Sequence, residues 1–216
     1  MKSSFLTEEH DSAMIIVVMG VSGSGKTTIG TLLADALRCS FLEGDSLHSN
    51  ENIEKMSHGI PLNDRDRAPW LAAIHTRLLE FFKRGKSLVV ACSALEQQYR
   101  EVLADGVPIT WVYLKGSMEL IRSRMKHRPK HFMKANMLDS QFEALEEPAD
   151  AIVVDISLPS SAIVAQILAQ LRQLPSTLRN DAAPEDLRSV SWGDDTRDVA
   201  VPNQRYFATK EAKPRR

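Results

Sequence analysis

A glycine-rich segment between an apolar run and a helical pattern constrains the fold of this chain more than any other feature. Residues 14–19 form the apolar run, and residues 20–28 read Gly-Val-Ser-Gly-Ser-Gly-Lys-Thr-Thr, which fits the pattern G-x-x-x-x-G-K-[ST]. The glycines let backbone N–H groups turn inwards, and the N-terminus of the following helix adds its dipole. The sequence therefore predicts a strand, a phosphate-binding loop (P-loop) and a helix that begins near Lys26.

The side chains of the P-loop predict that it binds ATP with Mg²⁺. The ammonium group of Lys26 can reach the β and γ phosphates, and the hydroxyl of Thr27 is placed to ligate Mg²⁺. We expect Lys26 to be catalytic as well as nucleotide-binding. The predicted ATP-binding residues are Gly20, Val21, Ser22, Gly23, Ser24, Gly25, Lys26, Thr27 and Thr28, with Arg128 further along the chain.

The alternation of apolar runs and helical patterns predicts an α/β fold with a doubly wound parallel sheet of five strands and helices on both faces. The predicted strands cover residues 14–19, 41–45, 87–92, 109–114 and 151–156. Pro69 suits the first turn of a helix that Gly85 ends. We expect one domain over residues 14–174, a flexible N-terminus over 1–13 and a mostly disordered tail over 175–216, which is rich in Pro, Asp, Arg and Ser.

Composition excludes several classes of function. The 216 residues carry a net charge of −1, so no overall field attracts nucleic acid or a membrane surface. No apolar run is long enough to cross a bilayer. The two cysteines, Cys39 and Cys92, lie far apart and form no C-x-x-C motif, which is typical of a reducing compartment. We expect a cytoplasmic protein without nucleic-acid or membrane partners.

Polar residues after the second predicted strand are candidates for the site of phosphoryl transfer. Asp45 ends that strand, and its carboxylate could accept a proton from an attacking hydroxyl, orient that hydroxyl or hold Mg²⁺ through water. Glu43 lies two residues earlier on the same predicted strand face, so it could also support the metal. A turn or helix-cap role is the alternative for Asp45.

Two arginines are candidates for binding an anionic substrate. Arg67 precedes Pro69 and Trp70, and an arginine at a pocket mouth can hold a carboxylate bidentately. A surface ion pair with Asp64 or Asp66 is the alternative. Arg100 follows the third predicted strand and is either a second clamp or a charge on a helix surface. That strand ends in cysteine and serine, so the acid near the metal has to come from elsewhere, and Glu43 or Asp45 is the simplest source.

A basic segment follows the fourth predicted strand. It contains Arg124 and Arg128, one helical turn apart, and Pro129 favours a helix break at Arg128. Such a run is found in solvated helix faces and nucleic-acid patches, but here it falls where P-loop kinases carry a lid. We predict a mobile lid over about residues 124–135 that brings Arg124 onto the transferring phosphoryl group.

Several short motifs, in order, resemble the gluconate kinase family of small P-loop enzymes. They read MGVSGSGKT, FLEGDSLH, NIEKM, GIPL with DRAPWL, Cys92–Leu95 followed by Tyr99 and Arg100, HF at 131–132, and SQFEAL followed by EP. The resemblance covers about residues 14–174. It implies a fold like that of nucleoside monophosphate and shikimate kinases, and a homodimer.

The resemblance implies phosphorylation of D-gluconate by Mg²⁺–ATP at the 6-hydroxyl, giving 6-phospho-D-gluconate for the pentose phosphate pathway. The substrate-binding residues are then Asp45, His48, Arg67 and Arg100. The alternatives are another small-acceptor kinase of this fold, such as a shikimate or nucleoside monophosphate kinase, and a silent ATP-binding module.

Overall fold

The computed structural model describes residues 14–126 and 136–174. The strands in these residues are β1 (Ile15–Met19), β2 (Ser40–Glu43), β3 (Leu88–Ala91), β4 (Ile109–Lys115) and β5 (Ala151–Asp155). The helices are α1 (Lys26–Leu37), α2 (Asn50–Ser57), α3 (Asp64–Lys83), α4 (Gln97–Ala104), α5 (Met118–Lys126), α6 (Asn136–Ala144) and α7 (Ser160–Gln173), with a 3-10 helix at Gly44–Leu47. The predicted N-terminus over 1–13, tail over 175–216 and lid residues 127–135 lie outside the described residues.

The five strands form one parallel sheet in the order β2-β3-β1-β4-β5. Alternate residues of β1 enter two separate apolar clusters: Ile16 and Val18 face one, and Ile15 and Val17 face the other. All four side chains are buried, as expected for a central parallel strand covered on both faces. The predicted α/β fold with a doubly wound sheet is confirmed.

The carboxyl ends of the parallel strands meet at one edge of the sheet, where open α/β sheets bind ligands. The P-loop leaves β1 at this edge, the 3-10 helix leaves β2, and the loop over residues 92–96 leaves β3. The Gly20 N–H donates to the Ser93 carbonyl at 3.3 Å. The P-loop and the loop after β3 are therefore joined directly.

Two predicted boundaries are wrong. β2 ends at Glu43 and Asp45 belongs to the 3-10 helix, so the two acids do not share a strand face. The helix containing Pro69 begins at Asp64 rather than at the proline, because Asn63 and Asp66 form a reciprocal capping box there. Among the described residues, no helix is both long and apolar enough to cross a bilayer.

Candidate active site

The P-loop adopts a conformation that depends on its glycines. Gly20, Gly23 and Gly25 have φ of 140°, 80° and 101°, a region that other residues rarely adopt. A Cβ atom on Gly25 would meet no atom within 4 Å, so the concave side of the loop is open at this point. The loop can therefore accept an anion at the N-terminus of α1.

Lys26 is the first residue of α1 and lies near both Glu43, which ends β2, and Asp45, in the 3-10 helix that follows. Its ammonium group donates to the Val21 carbonyl at 3.1 Å. Burial lowers the pKa of Lys26, while the negative charges of Asp45 and Glu43 act in the opposite direction. The structure thus brings together the predicted catalytic pair, Lys26 and Asp45.

Thr27 and Glu43 form a pair at the start of α1. The Thr27 hydroxyl donates to a Glu43 carboxylate oxygen at 2.6 Å, which joins the two predicted metal-site residues. Within the described residues, no three His, Cys, Asp or Glu side chains lie together as a metal cluster. This donor set suits Mg²⁺, which is usually held by one or two protein oxygens, substrate phosphates and water.

A large pocket of about 390 Å³ opens on the α5 and α7 side of the P-loop. Its walls come from the P-loop, the start of α1, α5 and the segment that leads into α7. They comprise Gly23, Ser24, Gly25, Thr28, Ile29, Ser123, Arg124, Leu158, Ser160 and Ile163. Arg124 lines this pocket, and its guanidinium donates to the Ile156 carbonyl. Arg128, the other predicted lid arginine, lies outside the described residues.

A small pocket of about 150 Å³ opens on the α3 side of the P-loop. It gathers three predicted substrate-binding residues with the P-loop lysine: Lys26, Asp45, His48 and Arg67. The other lining residues are Ser22, Met56, Pro61, Leu62, Trp70, Ser93, Leu95, Glu96, Tyr99, Ser140, Gln141 and Ala144. The P-loop contributes to both pockets, so bound phosphates would lie between them.

Each pocket contains one buried polar atom without a partner. Among the described residues, Ser24 Oγ and His48 Nδ1 are the buried side-chain nitrogen or oxygen atoms that lack a hydrogen bond. Buried polar groups are nearly always satisfied in native proteins. Because one of these residues lines the large pocket and the other the small pocket, both pockets have unmet hydrogen-bonding capacity of the kind a ligand supplies.

Trp70 fixes the segment that carries Asp45 and His48. Its indole N–H donates to the Gly44 carbonyl at 2.8 Å, and its ring stacks on His48 with centroids 4.4 Å apart. Burial lowers the pKa of His48, and Arg67 adds to that effect, whereas Asp45 opposes it. His48 is therefore neutral near pH 7 and can both donate and accept hydrogen bonds.

Arg67 is joined to Tyr99 rather than held in a simple surface pair. Its guanidinium donates to the Tyr99 hydroxyl at 2.9 Å and lies 3.6 Å from the Asp64 carboxylate. The predicted alternative was a surface ion pair with Asp64 or Asp66. Arg67 lies near Asp64, as that alternative allows, whereas Asp66 pairs with Lys55 at 2.6 Å.

The structure does not bring Arg100 into the small pocket. Its side chain is buried, and its guanidinium donates to the Ala94 and Leu95 carbonyls at 2.9 Å each. Ala94 has a φ of 42°, an unusual conformation for a residue with a Cβ. Arg100 thus holds the strained loop after β3, and the geometry gives no support to its prediction as a substrate clamp.

Sequence reasoning assigned no role to Gln141 or Tyr99. The Gln141 side-chain carbonyl accepts from the Ser22 N–H of the P-loop at 2.6 Å, across 119 positions of sequence. Both residues fall in the motifs quoted above, but only the tertiary structure shows what they contact.

Comparisons with known proteins show the family to which the chain belongs. The family model described as shikimate kinase matches residues 22–172. The thermoresistant gluconokinase of Escherichia coli (strain K12) is 44% identical over 172 residues, which span 77% of this chain and 98% of the relative. The gluconokinase of Gluconobacter oxydans (strain 621H) is 49% identical over 148 residues, spanning 66% of this chain and 83% of the relative.

A solved structure gives the same result. The crystal structure of a gluconokinase from Sinorhizobium meliloti 1021 is 45% identical, covers 78% of this chain and 96% of its own, and superposes with a TM-score of 0.70. The matched part of this chain corresponds to nearly the whole of that protein.

Proposed function

Because the chain belongs to the gluconokinase family, within the wider shikimate kinase group, we propose that its large pocket binds ATP and its small pocket binds D-gluconate. The reaction is the ATP-dependent phosphorylation of D-gluconate at the 6-hydroxyl, giving 6-phospho-D-gluconate. The observation that carries the assignment of the pockets is the convergence of Lys26, Asp45, His48 and Arg67 on one cavity beside the P-loop.

ATP lies along residues 20–28 in this proposal. The open side of the P-loop and the first N–H groups of α1 receive the phosphates, and Ser24 gains the partner that it lacks. The adenosine part occupies the large pocket beside Arg124. The roles of Arg124 in phosphoryl transfer and of Arg128 in ATP binding stay predictions.

Mg²⁺ accompanies the nucleotide. Thr27 and Glu43, already joined at 2.6 Å, would hold it, with Asp45 acting through water. When bound, the ion neutralises phosphate charge and orients the phosphoryl group.

D-Gluconate offers a carboxylate and a row of hydroxyls, and the small pocket offers complementary groups. Arg67 receives the carboxylate through charge-assisted hydrogen bonds. His48, neutral and with an unpartnered Nδ1, bonds to a chain hydroxyl. Arg100 acts indirectly, because it holds the loop that places Ser93 and Glu96 at the pocket wall.

The chemical step needs an oriented hydroxyl and a stabilised phosphoryl group. Asp45 orients the 6-hydroxyl and accepts its proton, while Lys26 stabilises the charge on the phosphoryl oxygens during in-line transfer. Burial of Lys26 strengthens this effect, since a charge acts more strongly where water is excluded.

We also expect a particular cellular compartment and oligomeric state. ATP and gluconate metabolism and the two free cysteines suit a cytoplasmic enzyme, and the family resemblance suggests a homodimer. Both remain predictions that cell fractionation and light scattering would test.

The site assignment is tested with Lys26→Ala and Asp45→Asn in a coupled ADP-release assay with Mg²⁺–ATP and D-gluconate. We expect each variant to lose at least about a hundredfold in kcat while keeping the wild-type unfolding curve. Leu32→Ala, which removes an exposed side chain on α1, is the control. Near-normal turnover by Lys26→Ala would overturn the assignment.

A further inference from the structure

A phenol oxygen stands between the arginine of the small pocket and its nearest acid. The Arg67 guanidinium and the Asp64 carboxylate are neighbours on successive turns of α3, but they approach only to 3.6 Å, beyond hydrogen-bonding distance. The Tyr99 hydroxyl accepts from Arg67 at 2.9 Å and contacts the same Asp64 oxygen at 2.6 Å. The phenol thus bridges two groups that would otherwise bond to each other.

A second acid shares this phenol. The Tyr99 hydroxyl also lies 2.8 Å from a Glu96 carboxylate oxygen. A hydroxyl has one proton, so it donates to Asp64 or to Glu96 while it accepts from Arg67. The phenol partner of Arg67 is therefore shared by two carboxylates, beside a pocket proposed to bind a third, the carboxylate of the substrate.

We propose that Tyr99 is a positioning residue that keeps Arg67 available to the acceptor carboxylate, and that Asp64 is the competing counter-ion it holds off. This inference rests on the proposed role of Arg67 in binding gluconate. Tyr99 itself is buried, with 4% of its surface exposed, and its ring also lies 5.4 Å from the guanidinium carbon. The aromatic ring is therefore fixed enough to hold the hydroxyl in place.

The two residues predict changes of opposite sign in the KM for D-gluconate. In Tyr99→Phe the bridging oxygen is lost, so Asp64 closes on Arg67 and the substrate has to displace it; we expect KM to rise about tenfold. In Asp64→Asn the competing charge is lost, and we expect KM to fall about threefold, the size of effect typical of an exposed ion pair. The KM for ATP stays unchanged in both variants.

The double variant separates this role from a structural one. If Tyr99→Phe acts by releasing Asp64, then Tyr99→Phe with Asp64→Asn returns KM close to the value of Asp64→Asn alone. Simple damage to the α3–α4 packing would lower stability and kcat and would not be rescued by removing a carboxylate. Tyr113→Phe is the matched control, since it removes another buried phenol hydroxyl, 3.4 Å from Glu147, outside the small pocket.

Steady-state kinetics on these variants, with Arg67→Met as the reference, test the proposal. A higher KM for Arg67→Met and Tyr99→Phe, a lower KM for Asp64→Asn and rescue in the double variant would support it. A higher KM for Arg67→Met with no decrease for Asp64→Asn, or with no rescue, would overturn this inference alone. An unchanged KM in Arg67→Met would overturn the carboxylate site itself, and with it the inference.

Discussion

Replacing Gly44 with alanine tests how tightly the fold positions Asp45. Gly44 lies between β2 and Asp45, and its carbonyl accepts from Trp70. A Cβ at this position would lie 2.5 Å from the Ala91 carbonyl oxygen and 3.3 Å from Ile74 Cδ1. The contacted oxygen belongs to the backbone of β3, the strand paired with β2, and it cannot rotate away as a side chain could. The new methyl group can therefore be accommodated only if the chain around Gly44 moves.

The size of the effect follows from that contact. Non-bonded atoms of this kind rarely approach within 3.0 Å, so the segment has to shift by roughly 0.5 Å, at a cost of about 1–3 kcal/mol in the free energy of unfolding. Asp45 is the next residue and shifts with it. Since a displacement of about 1 Å at a reacting group can cost about a hundredfold in rate, we expect kcat to fall about tenfold or more.

Urea unfolding and ADP-release kinetics measure the two effects in the same preparation. Gly30→Ala is the matched control: its Cβ would meet the edge of the Phe41 ring at 2.6 Å, a half-buried side chain that can turn away, and alanine favours the helix. We expect that variant to keep its kcat. A Gly44→Ala enzyme that is destabilised but has normal kcat would refute the claim that this junction positions Asp45.

Thr27→Val, which removes the hydroxyl bonded to Glu43, should weaken the apparent Mg²⁺ affinity in an activity titration by at least about tenfold, whereas Thr27→Ser should stay near normal; equal effects would contradict the metal role. The pKa of His48 is lower in the folded chain than its value of about 6.5 in the unfolded chain. Between these two values the unfolded chain binds a proton that the folded chain does not, so the free energy of unfolding should rise with pH in this range. His48→Phe should lose this pH dependence in urea titrations at several pH values. Arg100→Met should lower the free energy of unfolding by about 1.5–3 kcal/mol, since two carbonyls lose a charged donor; a higher KM for gluconate without this loss would instead restore Arg100 as a substrate clamp.

The sequence predicted the sheet because its central strands β1 and β3 are buried on both faces and read as continuous apolar runs. It predicted the P-loop because a loop that binds phosphate through its backbone N–H groups needs glycines at fixed spacing. The end of β2 was placed two residues too late, because the sequence did not show that the backbone already turns into a 3-10 helix at Gly44. The start of α3 was placed at Pro69 because the Asn63–Asp66 capping box was overlooked.

The candidate site was predictable where a motif fixes the backbone position of a residue, and less so where side chains bond to each other. Lys26, Thr27 and Asp45 lie at positions that the P-loop and the sheet edge fix. Arg100 lies in a motif too, but local sequence does not show whether an arginine turns to a pocket or to loop carbonyls. The role of Tyr99 was likewise not predictable, because two of its partners, Arg67 and Asp64, lie on another helix.

The central claim is that the small pocket directs the phosphoryl group of ATP to D-gluconate. The most direct measurement is ADP release with Mg²⁺–ATP across D-gluconate, other aldonates, shikimate and nucleoside monophosphates, with the product tested as a substrate of 6-phosphogluconate dehydrogenase. The account predicts turnover confined to D-gluconate and a product that the dehydrogenase oxidises. Turnover on shikimate or a nucleoside monophosphate instead, or ATP binding without transfer to any acceptor, would contradict it.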